Sequence, residues 1–364
     1  MTARKIFSYC LFPLTMWYAI VVAIRNLLFD MGLLQQTSPN ITTIGVGNLA
    51  CGGTGKTPHV EYLLRLLSDT HPTAMLSLGY KRKSSGYQED DGEHSAEKLG
   101  DEAAMVAAKF PKVQVAVCKK RVLGIEQLMQ HHPDLKLIVL DDVFQHRHLR
   151  PSLNILLTDY RHPFYKDHIL PFGDLRESRR SHSRANIIIV TKTPEHLNPI
   201  ERHNITAAIK AQTYQKVFFS YMEYGKLTSL FGNKTCQIER LDNVLCVTGI
   251  AHPEELHEYL KSKTNIATLQ YNDHHNYRED DIAQIVQKFE SLPEGNRAII
   301  TTEKDAARLR ESPNADSLRN LPIYTIEMHV AFHNIGEHTF DQEIRSIVHE
   351  NIIFQQRLRI YHQQ

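Results

Sequence analysis

At 364 residues the chain exceeds what one hydrophobic core ordinarily fills and suits two domains. Hydrophobic residues make up 42% and charged residues 23%, a balance that excludes intrinsic disorder and predicts a globular protein. The 42 Lys and Arg against 41 Asp and Glu leave a net charge of +1, so no global field argues for a nucleic-acid partner and charge-driven contacts must be local.

The first signal along the chain is N-terminal. Residues 6–24 hold no formal charge and are bracketed by Arg4, Lys5 and Arg25. No small-residue cleavage site follows, and the helix-like continuation Asn26-Leu27-Leu28-Phe29-Asp30 argues against a removed signal peptide. Pro13 interrupts the stretch, which is close to the lower length limit for a bilayer span. We therefore expect an interfacial, membrane-associated helix, with Trp17, Tyr18 and flanking cations at the boundary; a buried core helix is the alternative.

From Thr42 onward, short β-rich runs alternate with helical stretches, which predicts an α/β fold with a mainly parallel sheet. Strands are expected over 42–46, 73–78, 113–117, 136–140, 154–158 and 187–190, with helices over 57–67, 101–109 and 121–130. Residues 79–100 lack apolar periodicity and read as a long functional loop; the basic, Pro-punctuated segment 161–184 reads as a loop or lid. Beyond a helix at 205–212, strands at 216–221, 243–248, 266–270, 298–301 and 323–326 and helices at 253–261 and 280–290 predict a second, smaller α/β domain. Residues 340–361 complete it as an amphipathic helix. The expected division is 1–34 for the membrane-associated helix, 35–213 for the nucleotide domain and 214–364 for the second domain.

The five cysteines are scattered without zinc or redox spacing, and a reducing compartment suits them. Among the 21 histidines the adjacent pairs His131-His132 and His274-His275 are expected to point to different faces, so no dedicated metal cluster is predicted.

The strongest local signal is Gly47-Asn-Leu-Ala-Cys-Gly-Gly-Thr-Gly-Lys-Thr57, set between an expected strand and an expected helix. Backbone N–H groups of such a loop cradle phosphates at a helix N-terminus, so Ala50, Cys51, Gly52, Gly53, Thr54, Gly55, Lys56 and Thr57 are candidate ATP contacts. Lys56 would meet the β- and γ-phosphates and Thr57 would reach Mg²⁺, while Ala50 stands where the strict pattern has glycine. A buried strand ending at Asp141-Asp142 supplies the carboxylates expected beside the nucleotide's metal. A GTPase should carry Asn-Lys-x-Asp after a late strand, and Thr191-Lys192-Thr193-Pro194 stands there instead, so ATP is the expected nucleotide. A partitioning-type ATPase would have lysine at the position of Cys51.

The loop extended to Pro58 is one of several separated segments. Gly100-Asp-Glu102, Lys119-Lys-Arg121, Asp141-Asp-Val-Phe-Gln-His-Arg147, Leu170-Pro-Phe-Gly-Asp-Leu-Arg-Glu177, Asp273-His-His275 and Thr301-Thr-Glu-Lys-Asp305 complete the set. In this order and combination the chain resembles the lipid A tetraacyldisaccharide 4'-kinases. It departs from their pattern at Val143, where the family has glycine, so the turn there is expected to differ.

The resemblance implies transfer of the ATP γ-phosphoryl to the 4'-hydroxyl of a lipid A disaccharide 1-phosphate precursor at the cytoplasmic face of the inner membrane, which would give the N-terminal helix its purpose. It also implies Asp101 as the base with His274 as its partner, Arg121 and Arg176 as phosphate-facing and lid arginines, and Glu102 beside Thr57, Asp141 and Asp142 around Mg²⁺. Without the resemblance, Asp101 would read as a helix N-cap, His274 as an ordinary loop residue and each arginine as a solvated surface group. Two other functions remain open on the residues alone. A membrane-bound nucleotide switch would bind ATP without phosphorylating a small molecule, and a kinase for a soluble sugar or nucleotide would leave the apolar N-terminus without a task.

Overall fold

A computed structural model describes residues 12–232, 234–250, 253–272, 275–334 and 339–361. The chain divides into two compact units, one made of residues up to Tyr221 and from Val330 onward, the other of Met222–His329.

The first unit opens with helix α1 (Phe12–Asp30). Its sheet holds β1 (Thr42–Asn48), β2 (Thr73–Ser77), β3 (Gln88–Glu89), β4 (Gln114–Val117), β5 (Leu137–Asp141), β6 (Leu153–Asp159), β7 (Ile187–Thr191) and the first part of β8 (Lys216–Ser229). Their order is β8-β7-β6-β1-β5-β2-β4-β3, parallel throughout except for β3. Helices α2 (Lys56–Leu67), α3 (Ala96–Leu99), α4 (Asp101–Lys109), α5 (Arg121–His131) and α6 (Pro199–Ile209) connect the strands. A parallel sheet needs cover on both faces, and the wholly buried strands β1, β2, β5 and β7 show that it has it.

β1 shows how the sequence sets the site. Ile44 and Val46 point into the core beneath α2 and α4, while the alternate positions are Gly45 and Gly47. A Cβ on Gly47 would lie 2.6 Å from Phe144 Cβ, and one on Gly45 would lie 2.7 Å from Val143 Cγ1. The two glycines thus let the chain that leaves β5 cross close over β1. Val143 replaces the expected glycine without penalty, because the left-handed residue of this turn is Asp142, at φ 46°, and Val143 fills the space above Gly45.

The second unit carries β10 (Asn243–Thr248), β11 (Asn265–Gln270), β12 (Arg297–Thr302) and β13 (Ile323–Phe332) in the parallel order β11-β10-β12-β13. Strand β9 (Thr235–Cys236) adds antiparallel to the end of β8. Helices α7 (Glu254–Lys261), α8 (Glu279–Glu290) and α9 (Glu303–Arg310) complete it. The expected α/β class holds in both units.

Three expectations are corrected. The C-terminal helix α10 (Phe340–Tyr361) belongs to the first unit, because its apolar stripe Phe340, Ile344, Val348 and Ile352 is buried in the core with α2, and Tyr62 of α2 donates to Asp341 at 2.5 Å. The boundary therefore lies at Tyr221–Met222 with a return at Val330, not at 214. Residues 79–100 are not one open loop, since β3 pairs with β4 and α3 forms before Gly100. His131 and His132 both reach Glu89 rather than opposite faces, because His131 ends α5 and His132 already has the non-helical φ of −128°.

α1 does not lie in a core. Leu14, Met16, Trp17, Val21 and Ile24 are each more than half exposed and Pro13 sits at the helix's N-terminal end, while the opposite side is anchored through Tyr18, Asn26, buried Phe29 and the Asp30–Arg147 ion pair at 2.6 Å. Among the described residues no helix is long and apolar enough to cross a membrane.

The docking of α10 makes a testable claim. Ile344→Ala should destabilise the first unit by about 2–5 kcal/mol, the usual result of emptying a fully buried aliphatic site. Urea unfolding should show a lower midpoint with an unchanged slope.

Candidate active site

The loop that follows β1 turns at Gly52 (φ 105°) and Gly55 (φ 83°), and Gly55 caps α2 in the left-handed conformation. Asn48, buried at the end of β1, donates to Thr54 Oγ1 at 2.8 Å and to the Gly52 carbonyl at 3.2 Å, so it braces the loop from beneath. Ala50 needs no glycine freedom: it makes an antiparallel bridge with Leu175, and Cys51 N–H donates to the Asp174 carbonyl at 2.7 Å. Segment 174–176 thus runs alongside the loop, and Arg176 N–H donates to the Leu49 carbonyl at 2.7 Å.

Strand register brings the carboxylates in. Val46 lies opposite Asp141, so the acidic pair stands at the same sheet end as the loop. Lys56 Nζ is 3.7 Å from Asp142, and Arg176 Nη1 donates to both Asp142 oxygens at 3.2 Å and to Gln145 at 3.2 Å. Burial pushes the Asp142 carboxyl up, but Lys56 and Arg176 outweigh it and hold the group below its ordinary value. Asp141 has the opposite balance. Burial, then the charges of Glu102 and Asp142, raise it to about 6, against the weaker pull of Lys56 and Arg121. Asp141 Oδ2 accepts from Ser77 Oγ at 3.2 Å, whereas Oδ1 is enclosed without a hydrogen-bond partner. An orphaned carboxylate oxygen among like charges is what a divalent cation satisfies, so these residues fit Mg²⁺.

A family model described as tetraacyldisaccharide-1-P 4'-kinase matches residues 7–349. The chain belongs to this family. It is 41% identical over 348 residues to the tetraacyldisaccharide 4'-kinase of Phocaeicola vulgatus, which spans 94% of this chain and 95% of that protein. Identity to the Flavobacterium psychrophilum protein of the same name is 42% over 343 residues, covering 93% and 96%. Among solved structures it is similar to LpxK of Aquifex aeolicus in complex with ATP, with a TM-score of 0.72, 26% identity, and coverage of 95% of this chain and 99% of that one.

In this tetraacyldisaccharide 4'-kinase family member the remaining expected residues fall as follows. Asp101 is exposed and is the first residue of α4; Gly100 is the N-cap, so Asp101 is not the capping side chain. Glu102 follows it and lies close enough to raise Asp141. Arg121 is not a solvated surface group: it is buried, bonded to the Cys118 carbonyl and, at 3.1 Å, to the Asp141 carbonyl, and so braces the end of β5. Thr57 is buried in the first turn of α2. His274 lies outside the described residues, as does Asp273.

Sequence reasoning did not single out Asn48, Ser77, Gln145 or His59. Asn48 and Gln145 lay inside the quoted motifs, and Gln145 donates to the Asn48 carbonyl at 2.8 Å. Ser77 had no signal beyond its place at a strand end. His59, immediately after the loop, is buried, and burial drives it down to about 4.

Asp141 yields a prediction with a fixed sign. Its native pKa of about 6 exceeds the ordinary 3.8, so ionising it destabilises the fold; the penalty is complete above about pH 6 and disappears as pH falls through 3.8. Asp141→Asn should therefore stabilise the metal-free, nucleotide-free protein at neutral pH by roughly 2–3 kcal/mol, with no gain near pH 4. Thermal unfolding across pH checks it, and an unchanged difference from pH 7 to pH 4 contradicts it.

Proposed function

We propose that the protein transfers the γ-phosphoryl of ATP to the 4'-hydroxyl of a tetraacylated disaccharide 1-phosphate, the lipid A precursor. The observation that carries this reading is the loop-and-carboxylate site, built around Lys56, Asp141 and Asp142, in a chain belonging to this kinase family along nearly its whole length.

Phosphoryl transfer asks a protein chiefly for positioning and charge neutralisation. Backbone N–H groups of the loop would face the phosphates at the start of α2, and Lys56 would follow the transferring group. Thr57 and one or two of the carboxylates Asp141, Asp142 and Glu102 would hold Mg²⁺, which when bound neutralises phosphate charge. Among the described residues no three His, Cys, Asp or Glu side chains gather into a metal cage, and Mg²⁺ coordination by one or two carboxylates plus phosphate oxygens needs none. Asp101 accepts the 4'-hydroxyl proton as that oxygen bonds to the γ-phosphorus and the β–γ bridging bond breaks, leaving ADP. Arg176, on Asp142 in this structure, would exchange toward phosphate, and Arg121 lies beside both strand-end acids.

The exposed apolar flank of α1, with Trp17 and Leu14 among its most exposed members, supports a place on the bilayer surface, where a substrate with four acyl chains resides. We assign this to the cytoplasmic face of the inner membrane, where ATP is available.

Labelled ATP and the disaccharide 1-phosphate in mixed micelles should yield a labelled bis-phosphorylated lipid; ADP release independent of the lipid would instead identify a nucleotide switch. Lys56→Ala should abolish turnover, and Asp101→Asn should lower kcat by roughly 10²–10⁴-fold with ATP affinity little changed. A loss confined to ATP affinity would make Asp101 a nucleotide or metal ligand. Deleting residues 1–24 should move the protein from sedimenting liposomes to the supernatant, and unchanged sedimentation would place the contact elsewhere.

A further inference from the structure

His59 is absorbed by none of these roles, yet it touches the phosphate loop. Its ring is buried, with Nδ1 2.7 Å from the Gly55 carbonyl oxygen and Nε2 2.9 Å from Ser220 Oγ. A carbonyl can only accept, so Nδ1 carries the proton and donates. In the neutral ring Nε2 then accepts from the Ser220 hydroxyl. Ser220 is held in turn. Its carbonyl accepts from Thr193 N–H and Thr193 Oγ1, each at 3.0 Å. Thr193 Oγ1 is also hydrogen-bonded to His333 Nε2 at 2.8 Å, while the His333 backbone N–H donates to the Phe219 carbonyl at 3.0 Å.

Two consequences follow. The first is local. The Gly55 carbonyl and the Lys56 N–H belong to one planar trans peptide, so fixing the carbonyl fixes the opposite direction of that N–H. The helical bond from His59 N–H to the same carbonyl is long, at 3.3 Å, and the shorter ring bond is the better restraint. On the nucleotide-binding reading, Lys56 N–H, at the first position of α2, would be a phosphate donor of the loop, on the residue whose ammonium would follow the transferring phosphoryl. The second is the route of the relay. Ser220 lies on β8 just before the chain leaves the first unit, and His333 lies just past the end of β13, shortly after the chain returns.

We propose that His59 is a positioning residue of the phosphate loop: through the Gly55 carbonyl it sets the Lys56 peptide plane, and through Ser220, Thr193 and His333 it is tied to the first-unit ends of the two strands by which the chain leaves and re-enters. The neutral ring this requires is the form that burial favours. The inference rests on the nucleotide-binding part of the reading above and not on the identity of the lipid.

Direct ATP binding by titration calorimetry tests it, with kinase activity as a separate readout. His59→Phe keeps a buried ring but has no donor for Gly55, so ATP affinity should fall about 10- to 100-fold, with KM for the lipid unchanged. His59→Asn places an amide N–H where Nδ1 stood and should recover affinity to within about threefold of the parent. Ser220→Ala removes only the hydroxyl that anchors Nε2, and should cost about three- to tenfold. If His59→Phe fails to fold, the Asn and Ala variants decide the matter. Equal ATP affinity in Ser220→Ala and the parent, or equal loss in the Phe and Asn variants, overturns the proposal. A parent that binds ATP but leaves the lipid unphosphorylated would sink the kinase reading while this test still stands.

Discussion

Three carboxylates, Asp141, Asp142 and Glu102, are brought to one end of a parallel sheet, and much of the surrounding structure answers their mutual repulsion. Lys56 and Arg176 neutralise Asp142, and Arg121 is buried against the carbonyl of Asp141. Asp141 is left with an unpaired oxygen and a raised pKa. A fold selected only for stability would replace such a group, since buried unpaired charge is among the costliest features a core can hold. Its retention at the mouth of a phosphate loop makes sense if a cation and its phosphates complete the charge balance, which is the general pattern of destabilised functional sites.

That arrangement depends on strand register more than on any side-chain contact. β1 sits between β5 and β6, and the pairing of Val46 with Asp141 places the loop and the acids level with each other. A shift by one residue would turn Ile44 and Val46 out of the core and drive the Gly45 and Gly47 positions into it. The two glycines resist such a slip, because only their side of β1 can accept Val143 and Phe144 at close range. Core packing and site geometry are therefore fixed by the same alternation.

Much of this was legible in the chain itself, for stated physical reasons. Strands buried on both faces read as continuous apolar runs, and a phosphate loop has a glycine pattern that few other structures need. The parts that escaped are those where a residue's partner is remote in sequence. The apolar stripe of α10 was visible, but not which core it enters, because amphipathicity specifies a face and not a destination. Helix α9 is mostly charged and shows no apolar period, although Thr302 caps it by accepting from Asp305 N–H at 3.2 Å. Arg121 looks like any exposed cation in a Lys-Lys-Arg run until its fold position buries it. Ala50 and Val143 seemed departures from pattern, and both fit once the backbone conformation shows that neither position requires a left-handed residue.

The segment 174–177 joins features that the sequence presents far apart. Leu175 is wholly buried and bridges Ala50 of the loop, while Arg176 spans to Asp142. The next residue, Glu177, is a buried carboxylate held by Arg184 at 2.8 Å and by Asn26 of α1 at 3.0 Å. Tyr18, also on α1, donates to the Arg176 carbonyl at 3.0 Å. One short stretch thus contacts the phosphate loop, the carboxylate pair and the helix proposed to meet the bilayer. A change in how α1 rests on its surroundings would act on the backbone of Arg176 directly, and that guanidinium holds Asp142 and Gln145. The geometry therefore links α1, through one short backbone segment, to the carboxylate that Lys56 also approaches.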